Sequence, residues 1–174
     1  VQGLVEIGAL EVDDPSDTHG GGEGERLTPL GQHLAQLPLD ARMGKMLVYA
    51  CVLGCTSDAL TLAACLSRSR SPFLNPPQDR RTEADKAKRA LLASGVAAGG
   101  QSDHLVLVAA FDAWAALGSE RERRAFCEAN FLSHEGMREV SELRREYAGA
   151  LEKLGFVVAR SAPVPPLSSA ATGA

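Results

Sequence analysis

The chain has 174 residues, 45% of them hydrophobic and 23% charged, which suits one domain or two small ones with a packed core and excludes a globally disordered chain. Eighteen Lys and Arg against 22 Asp and Glu leave a net charge of −4, a poor balance for binding nucleic acid through bulk charge alone. No apolar run is long enough to span a bilayer, and Val1 to Leu10 carries Glu6 without the basic region of a secretory signal.

In chain order the periodicity is almost wholly helical. Gln2 to Leu10 reads as the end of a helix that begins without a starter Met, as in a piece of a longer chain. Asp13 to Gly24 is rich in Asp, Ser and Gly and predicts a flexible loop, long enough before Leu27 to hold a small hairpin. Thr28 is placed to cap a helix, and Pro29 at its first position gives up an amide that would have no partner there. That helix sets Leu30, Leu34 and Leu37 on one face and stops at Pro38. Asp40 caps the next, with Met43, Met46, Leu47 and Ala50 inward, and Thr56, Ser57 and Asp58 open a third through Leu66.

Three prolines between Ser71 and Pro77 predict an extended connector. Glu83 to Leu92 follows as a basic amphipathic helix, and Gly95 to Gly100 as a flexible break. Ser102 or Asp103 caps a helix with Leu107, Val108, Phe111 and Trp114 inward; Trp114 at this spacing is core rather than a base-stacking platform. Ser119 and Glu122 form a capping box, and the helix is expected to continue through Phe126 to Leu132. A long helix from about Met137 to Leu154 aligns Met137, Val140, Leu143, Tyr147, Leu151 and Leu154, with Gly155 as its cap. The tail from Arg160 is Pro-, Ser- and Ala-rich and reads as disordered. The fold class expected is mainly α: a winged-helix unit with a small β wing, then a helical bundle.

Charge is unevenly spread. Val1 to Glu25 holds seven acids and no Lys or Arg, whereas Arg68 to Arg89 holds seven bases and three acids. The second pattern suits either a polyanion-binding edge or a solvated face. Cys51, Cys55, Cys65 and Cys127 make no CxxC, and His19, His33, His104 and His134 are scattered, which favours reduced thiols in an intracellular protein over a metal site. Gly20, Gly21, Gly22 and Gly24 lack the Lys-Ser/Thr of a P-loop, and His134-Glu135 meets Arg138 where a zinc protease has its second His. No catalytic residue is assigned in this chain.

An ordered set of motifs resembles a known family. Leu27-Thr28-Pro29-Leu30-Gly31 runs on through Leu37-Pro38-Leu39-Asp40. Gly44-Lys45-Met46-Leu47, Leu60-Thr61-Leu62-Ala63-Ala64 and Ser71-Pro72-Phe73 follow. Gly8-Ala9-Leu10 stands before them. Ser102-Asp103-His104-Leu105, Trp114 and Cys127-Glu128-Ala129-Asn130-Phe131-Leu132 come after. From about Gly3 to Phe156 the chain is similar to the helicase-associated region of DEAH/RHA-type ATP-dependent RNA helicases, the RNA helicase A branch in particular. The loop Asp13 to Gly24 is long for that family, and the spacer Ala93 to Gly100 is smaller than usual.

The resemblance implies a winged helix over 1–53 and a helical bundle or ratchet domain over 54–156; composition makes 157–174 the disordered tail. It implies two RecA-like lobes that bind ATP and Mg2+, and an oligonucleotide-binding barrel, all outside this chain. Its role would be to grip single-stranded RNA against those lobes during unwinding or ribonucleoprotein remodelling, in the cytoplasm or nucleus. The family sets the connector along the RNA channel, and an extended Pro-rich backbone offers amides and hydroxyls to phosphates and 2′-OH groups. Arg70, Ser71, Asn75, Arg80 and Arg81 are the candidate RNA contacts; a rigid linker is the other reading of the same stretch. Lys86, Lys88 and Arg89 suit phosphate attraction or a solvated face. Lys45 is assigned to packing or to an acid on a lobe. A protein-docking module for a regulator or a ribosomal partner is the alternative function, favoured by the acidic N-terminal stretch.

Overall fold

The computed structural model describes residues 1–12, 24–94, 102–156 and 158. In order these form α1 (Gln2–Glu6), β1 (Leu10–Val12), β2 (Glu25–Leu27), α2 (Pro29–Leu34), α3 (Ala41–Leu53) and α4 (Thr56–Leu66). A 3-10 turn (Gln78–Arg80), α5 (Arg81–Ser94), α6 (Asp103–Ala115), α7 (Glu120–Ala129) and α8 (His134–Lys153) complete them. The expected fold class, mainly helical with a small β wing, is the one observed. The loop, the Gly-rich break and the tail fall almost wholly outside the described residues. The chain divides into two compact units, Val1–Ser71 with the residues from Glu142, and Pro72–Ser141; the division falls within α8.

The first unit begins at a helix end turned by glycine. Gly8 takes φ 72°, and Ala9 N donates to Leu4 O at 2.8 Å while Gly8 N donates to Val5 O at 2.9 Å, the paired closure of a Schellman end. β1 and β2 then pair antiparallel, Leu10 with Leu27, Glu11 with Arg26 and Val12 with Glu25, which supplies the expected hairpin. Thr28 ties this hairpin to α2. Its hydroxyl donates to Gly8 O at 2.7 Å and accepts from Gly31 N at 2.9 Å. Gly31 is required there, since a Cβ would collide with the Ala9 carbonyl oxygen.

Asp40 caps α3 by accepting from Arg42 N at 2.9 Å, and Gly54 ends it at φ 75°. The buried face of α3 is Gly44, Leu47, Val48 and Ala50; Met43 and Met46, expected inward, are half-buried because Gly44 lets the Leu34 and Leu37 side chains approach. Leu47, Ala63, Ala64 and Leu151 are wholly buried. Arg144 on α8 donates to Ser57 O at 2.7 Å and to the buried Thr61 hydroxyl. Lys45 donates to Ile7 O at 2.7 Å, so it clips the end of α1 to α3. Gly155, at φ 87°, ends α8 with Phe156 N donating to Leu151 O at 3.0 Å, as expected.

The second unit packs α5, α6, α7 and the first half of α8 around Phe111, Trp114, Cys127, Met137 and Val140. Ser102 stands at the cap position of α6 without a side-chain cap bond. Ser119 and Glu122 form the expected capping box, and these bonds hold the Glu122 carboxyl below its ordinary pKa.

The expected helix through Phe126 to Leu132 is corrected. α7 stops at Ala129, Asn130 closes it by donating from Nδ2 to Phe126 O at 2.8 Å, and Phe131 turns left-handed at φ 55°. The turn frees Leu132 to pair with Phe73 and to be buried, which a continued helix would prevent. α8 starts at His134, three residues ahead of expectation, because Ser133 Oγ accepts from Gly136 N at 3.0 Å and caps it.

Candidate nucleic-acid interface

The connector is extended, as its prolines dictate, and it is pinned within the second unit. Leu74 N donates to Phe131 O at 2.8 Å and Ser133 N donates to Pro72 O at 2.8 Å, on either side of the antiparallel Phe73–Leu132 bridge. The expectation that its backbone amides stay unpaired is therefore corrected. Leu74's is used, and Pro72, Pro76 and Pro77 have none. Polar contact from this segment falls to side chains and to Asn75.

Two cations cap the rings that the bridge brings together. The Arg80 guanidinium lies 4.7 Å from the Phe131 ring centroid, and Lys88 Nζ lies 5.0 Å from that of Phe73. Arg80 Nε also meets Glu83 Oε2 at 3.0 Å, with both side chains more than half exposed. Arg81, at the first position of α5, is exposed, and its side chain makes no hydrogen bond or ion pair among the described residues. Lys86 and Arg89 are exposed on the same helix, whose buried positions are Ala84 and Leu91. Arg89 Nε reaches only its own helix, at Asp85 O, 3.3 Å away.

Of the five candidate residues, Asn75, Arg80 and Arg81 lie together in the second unit, along the connector and the turn into α5, all exposed. Arg70 and Ser71 end the first unit and are exposed too, with Ser71 already engaged in a contact of its own. The ring-capping pairs escape sequence reasoning because their signal is a bridge between residues far apart in the chain.

A second basic region is mixed: Arg121 and Arg124 are exposed, and Arg123 is turned inward. Arg123 is 4% exposed, its guanidinium lies 4.9 Å from the Trp114 ring centroid, and it donates to Leu117 O at 3.0 Å. His134 stands edge-on to the same indole and 3.2 Å from Glu120 Oε1. Burial, with Arg124, Arg138 and Arg123 nearby, holds its pKa below 6.5 against the pull of Glu120. Burial pushes the Cys65 and Cys127 thiols up to about 11, so both remain protonated and unreactive. Among the described residues no group of three or more His, Cys, Asp or Glu is placed to hold a metal, and no helix is long and apolar enough to cross a membrane.

Residues 1–39 match the family described as helicase associated domain (HA2), winged-helix, and residues 40–107 match its ratchet-like partner. Similar curated proteins include the ATP-dependent RNA helicase dhx29 of Xenopus laevis, 33% identical over 169 residues, covering 96% of this chain and 11% of that protein. The chloroplastic DExH-box ATP-dependent RNA helicase DExH4 of Arabidopsis thaliana is 37% identical over 164 residues, 88% of this chain and 11% of that protein. The putative ATP-dependent RNA helicase DHX57 of Homo sapiens is 38% identical over 155 residues, 88% of this chain and 10% of that protein. The chain thus spans about a tenth of the length of these relatives.

Proposed function

The chain belongs to the helicase-associated (HA2) family of DEAH/DExH-box RNA helicases, and on that premise we propose that it is the non-catalytic segment with which such a helicase grips single-stranded RNA. The observation that supports this reading is the exposed set Asn75, on a connector pinned by its own backbone, and Arg80 and Arg81, on the turn into α5 that follows it. A pinned connector fixes where the turn and helix after it begin, and fixed spacing of their cations lowers the ordering cost of holding a phosphate chain. The contacts are directed at the backbone and indifferent to sequence, since a translocating motor must pass every base. Arg70 and Ser71, exposed at the end of the first unit, are the other two candidates. RecA-like lobes holding ATP and Mg2+, and an oligonucleotide-binding barrel, complete the proposed parent. The protonated, buried Cys65 and Cys127 suit a reducing, intracellular compartment.

The test is the full-length helicase carrying Arg70→Ala, Arg80→Ala and Arg81→Ala together, titrated against oligouridylate at several salt concentrations. The slope of log K against log[salt] should fall by about 0.7 for each phosphate that is no longer neutralised. An unchanged affinity and slope would sink the gripping role.

A docking role is the second reading, and exposed apolar side chains favour it. Val52 and Leu53 are each 75% exposed at the end of α3, with Tyr49 50% exposed a turn earlier. Burial of such side chains against another domain or a ribonucleoprotein partner would contribute about 1.5–3 kcal/mol each. Val52→Asp with Leu53→Asp should then loosen that association and leave the salt slope for RNA intact.

A further inference from the structure

Between the end of α4 and the connector the sequence reads Arg68-Ser69-Arg70-Ser71-Pro72, two Arg-Ser dipeptides in tandem. The backbone there bends without regular structure, and Ser69, Arg70 and Ser71 are all exposed, while Arg68 is half-buried and engaged in a contact of its own. Ser69 and Arg70 make no hydrogen bond or ion pair among the described residues. A protein kinase draws its acceptor into a cleft as an extended strand of several residues, so an acceptor site must be exposed, conformable and flanked by the charges the kinase reads.

We propose that Ser69 is a phosphorylation site for an arginine-directed serine kinase, and that its phosphate weakens the grip of the adjoining basic stretch on RNA. Ser71 also follows an arginine, but it is the poorer acceptor. It is already engaged within the fold, and the next residue, Pro72, is buried with its carbonyl held by Ser133 N. Ser69 has two further residues between it and that anchor. In the transfer, the bond from the γ-phosphorus of ATP to the β-phosphate oxygen breaks and a bond from that phosphorus to Ser69 Oγ forms. The hydroxyl proton passes to the kinase's catalytic base and ADP leaves.

The product adds a charge of about −1.5 to −2 at neutral pH. It enters a stretch, Arg68 to Arg89, whose formal excess is seven bases over three acids. Set between Arg68 and Arg70 in the chain, that charge offsets most of theirs, in the segment through which the proposed function works; the effect on RNA rests on that proposal, whereas the acceptor site does not.

The experiment uses full-length helicase, ATP and a recombinant kinase of the Arg-Ser dipeptide class, with phosphosites read by mass spectrometry. A peptide spanning residues 64–74 serves as a control for kinase competence. Phosphate is expected at Ser69 in the wild type and in Ser71→Ala, and is expected to be absent from this position in Ser69→Ala. Phosphorylated protein should bind oligouridylate roughly three- to tenfold more weakly, with a salt slope smaller by about 0.7 to 1.4, and Ser69→Ala treated identically should not change. Phosphorylation of the peptide but not of Ser69 in the protein would overturn the site. Phosphate at Ser69 with unaltered RNA binding would overturn its regulatory role. The Arg70, Arg80 and Arg81 variants then say why: if they weaken RNA binding, the phosphate alone is inert, and if they do not, the gripping reading has failed with it.

Discussion

In the stretch from Arg68 to Arg89, Arg70 and Arg81 stand exposed without an internal partner. In the stretch from Arg121 to Arg138, Arg123 is buried against Trp114 and donates to the Leu117 carbonyl. Both stretches are rich in arginine, and composition alone treats them alike. The difference is where each helix turns its basic positions. α5 buries Ala84 and Leu91, leaves Arg81, Lys86 and Arg89 outward and lays Lys88 over Phe73, whereas α7 leaves Arg121 and Arg124 outward and turns Arg123 in. α7 has few apolar residues to offer, only Cys127 and the half-buried Phe126, so it uses the long stem and planar head of Arg123 to cover an indole. Burial thus sorts a basic run residue by residue: Arg123 is spent on its own fold, and Arg70 and Arg81 are not.

The largest effect should come from the indole itself. Trp114→Ala removes the largest fully buried side chain and should cost about 3–5 kcal/mol, read as the urea midpoint of the full-length protein's transition for this region. A cost near zero would mean that Arg123 covers nothing of consequence, and the contrast between the two stretches would collapse. Arg123→Ala comes next, at about 2–3 kcal/mol, from the missing stacking and an uncapped Leu117 carbonyl. Its salt slope for RNA should stay at the wild-type value. Arg81→Ala should do the reverse: stability within about 0.5 kcal/mol of wild type, and a salt slope lower by about 0.7. Should Arg123→Ala lower the slope instead, the two regions share one function and the division drawn between them is wrong.

The same contrast marks what could be read before the fold was known. Thr28 with Pro29, Asp40, the Ser119–Glu122 box and Gly155 act on groups within a few residues of themselves, so each was legible as a cap. The exposure of Arg70, Arg80 and Arg81 was legible too, since a Pro-rich connector and a basic helix face have nowhere else to put charge. The end of α7 was not. Phe131 and Leu132 are sound helix formers locally, and what stops the helix is the pairing of Leu132 with Phe73, a partner far back in the chain. The burial of Arg123 was hidden for the same reason, because only packing brings Trp114 beneath it.

The smallest effect is the one that titrates. His134 sits beside the same indole, where Glu120 at 3.2 Å favours its charged form while burial and the cations of Arg124, Arg138 and Arg123 oppose it. The opposing side wins, so the folded pKa lies below the ordinary 6.5. Between the folded and unfolded pKa values the unfolded chain therefore binds more protons, and stability rises with pH there. As pH falls through 6.5 the wild type should lose stability relative to His134→Gln, and the loss should level off once pH drops below the folded value. Denaturant midpoints from pH 5 to 8 read this directly. Glu120→Gln takes away the one group that favours the imidazolium and should deepen the loss. If stability instead grows as pH falls, Glu120 outweighs the arginines, and this region is less saturated with positive charge than the buried Arg123 suggests.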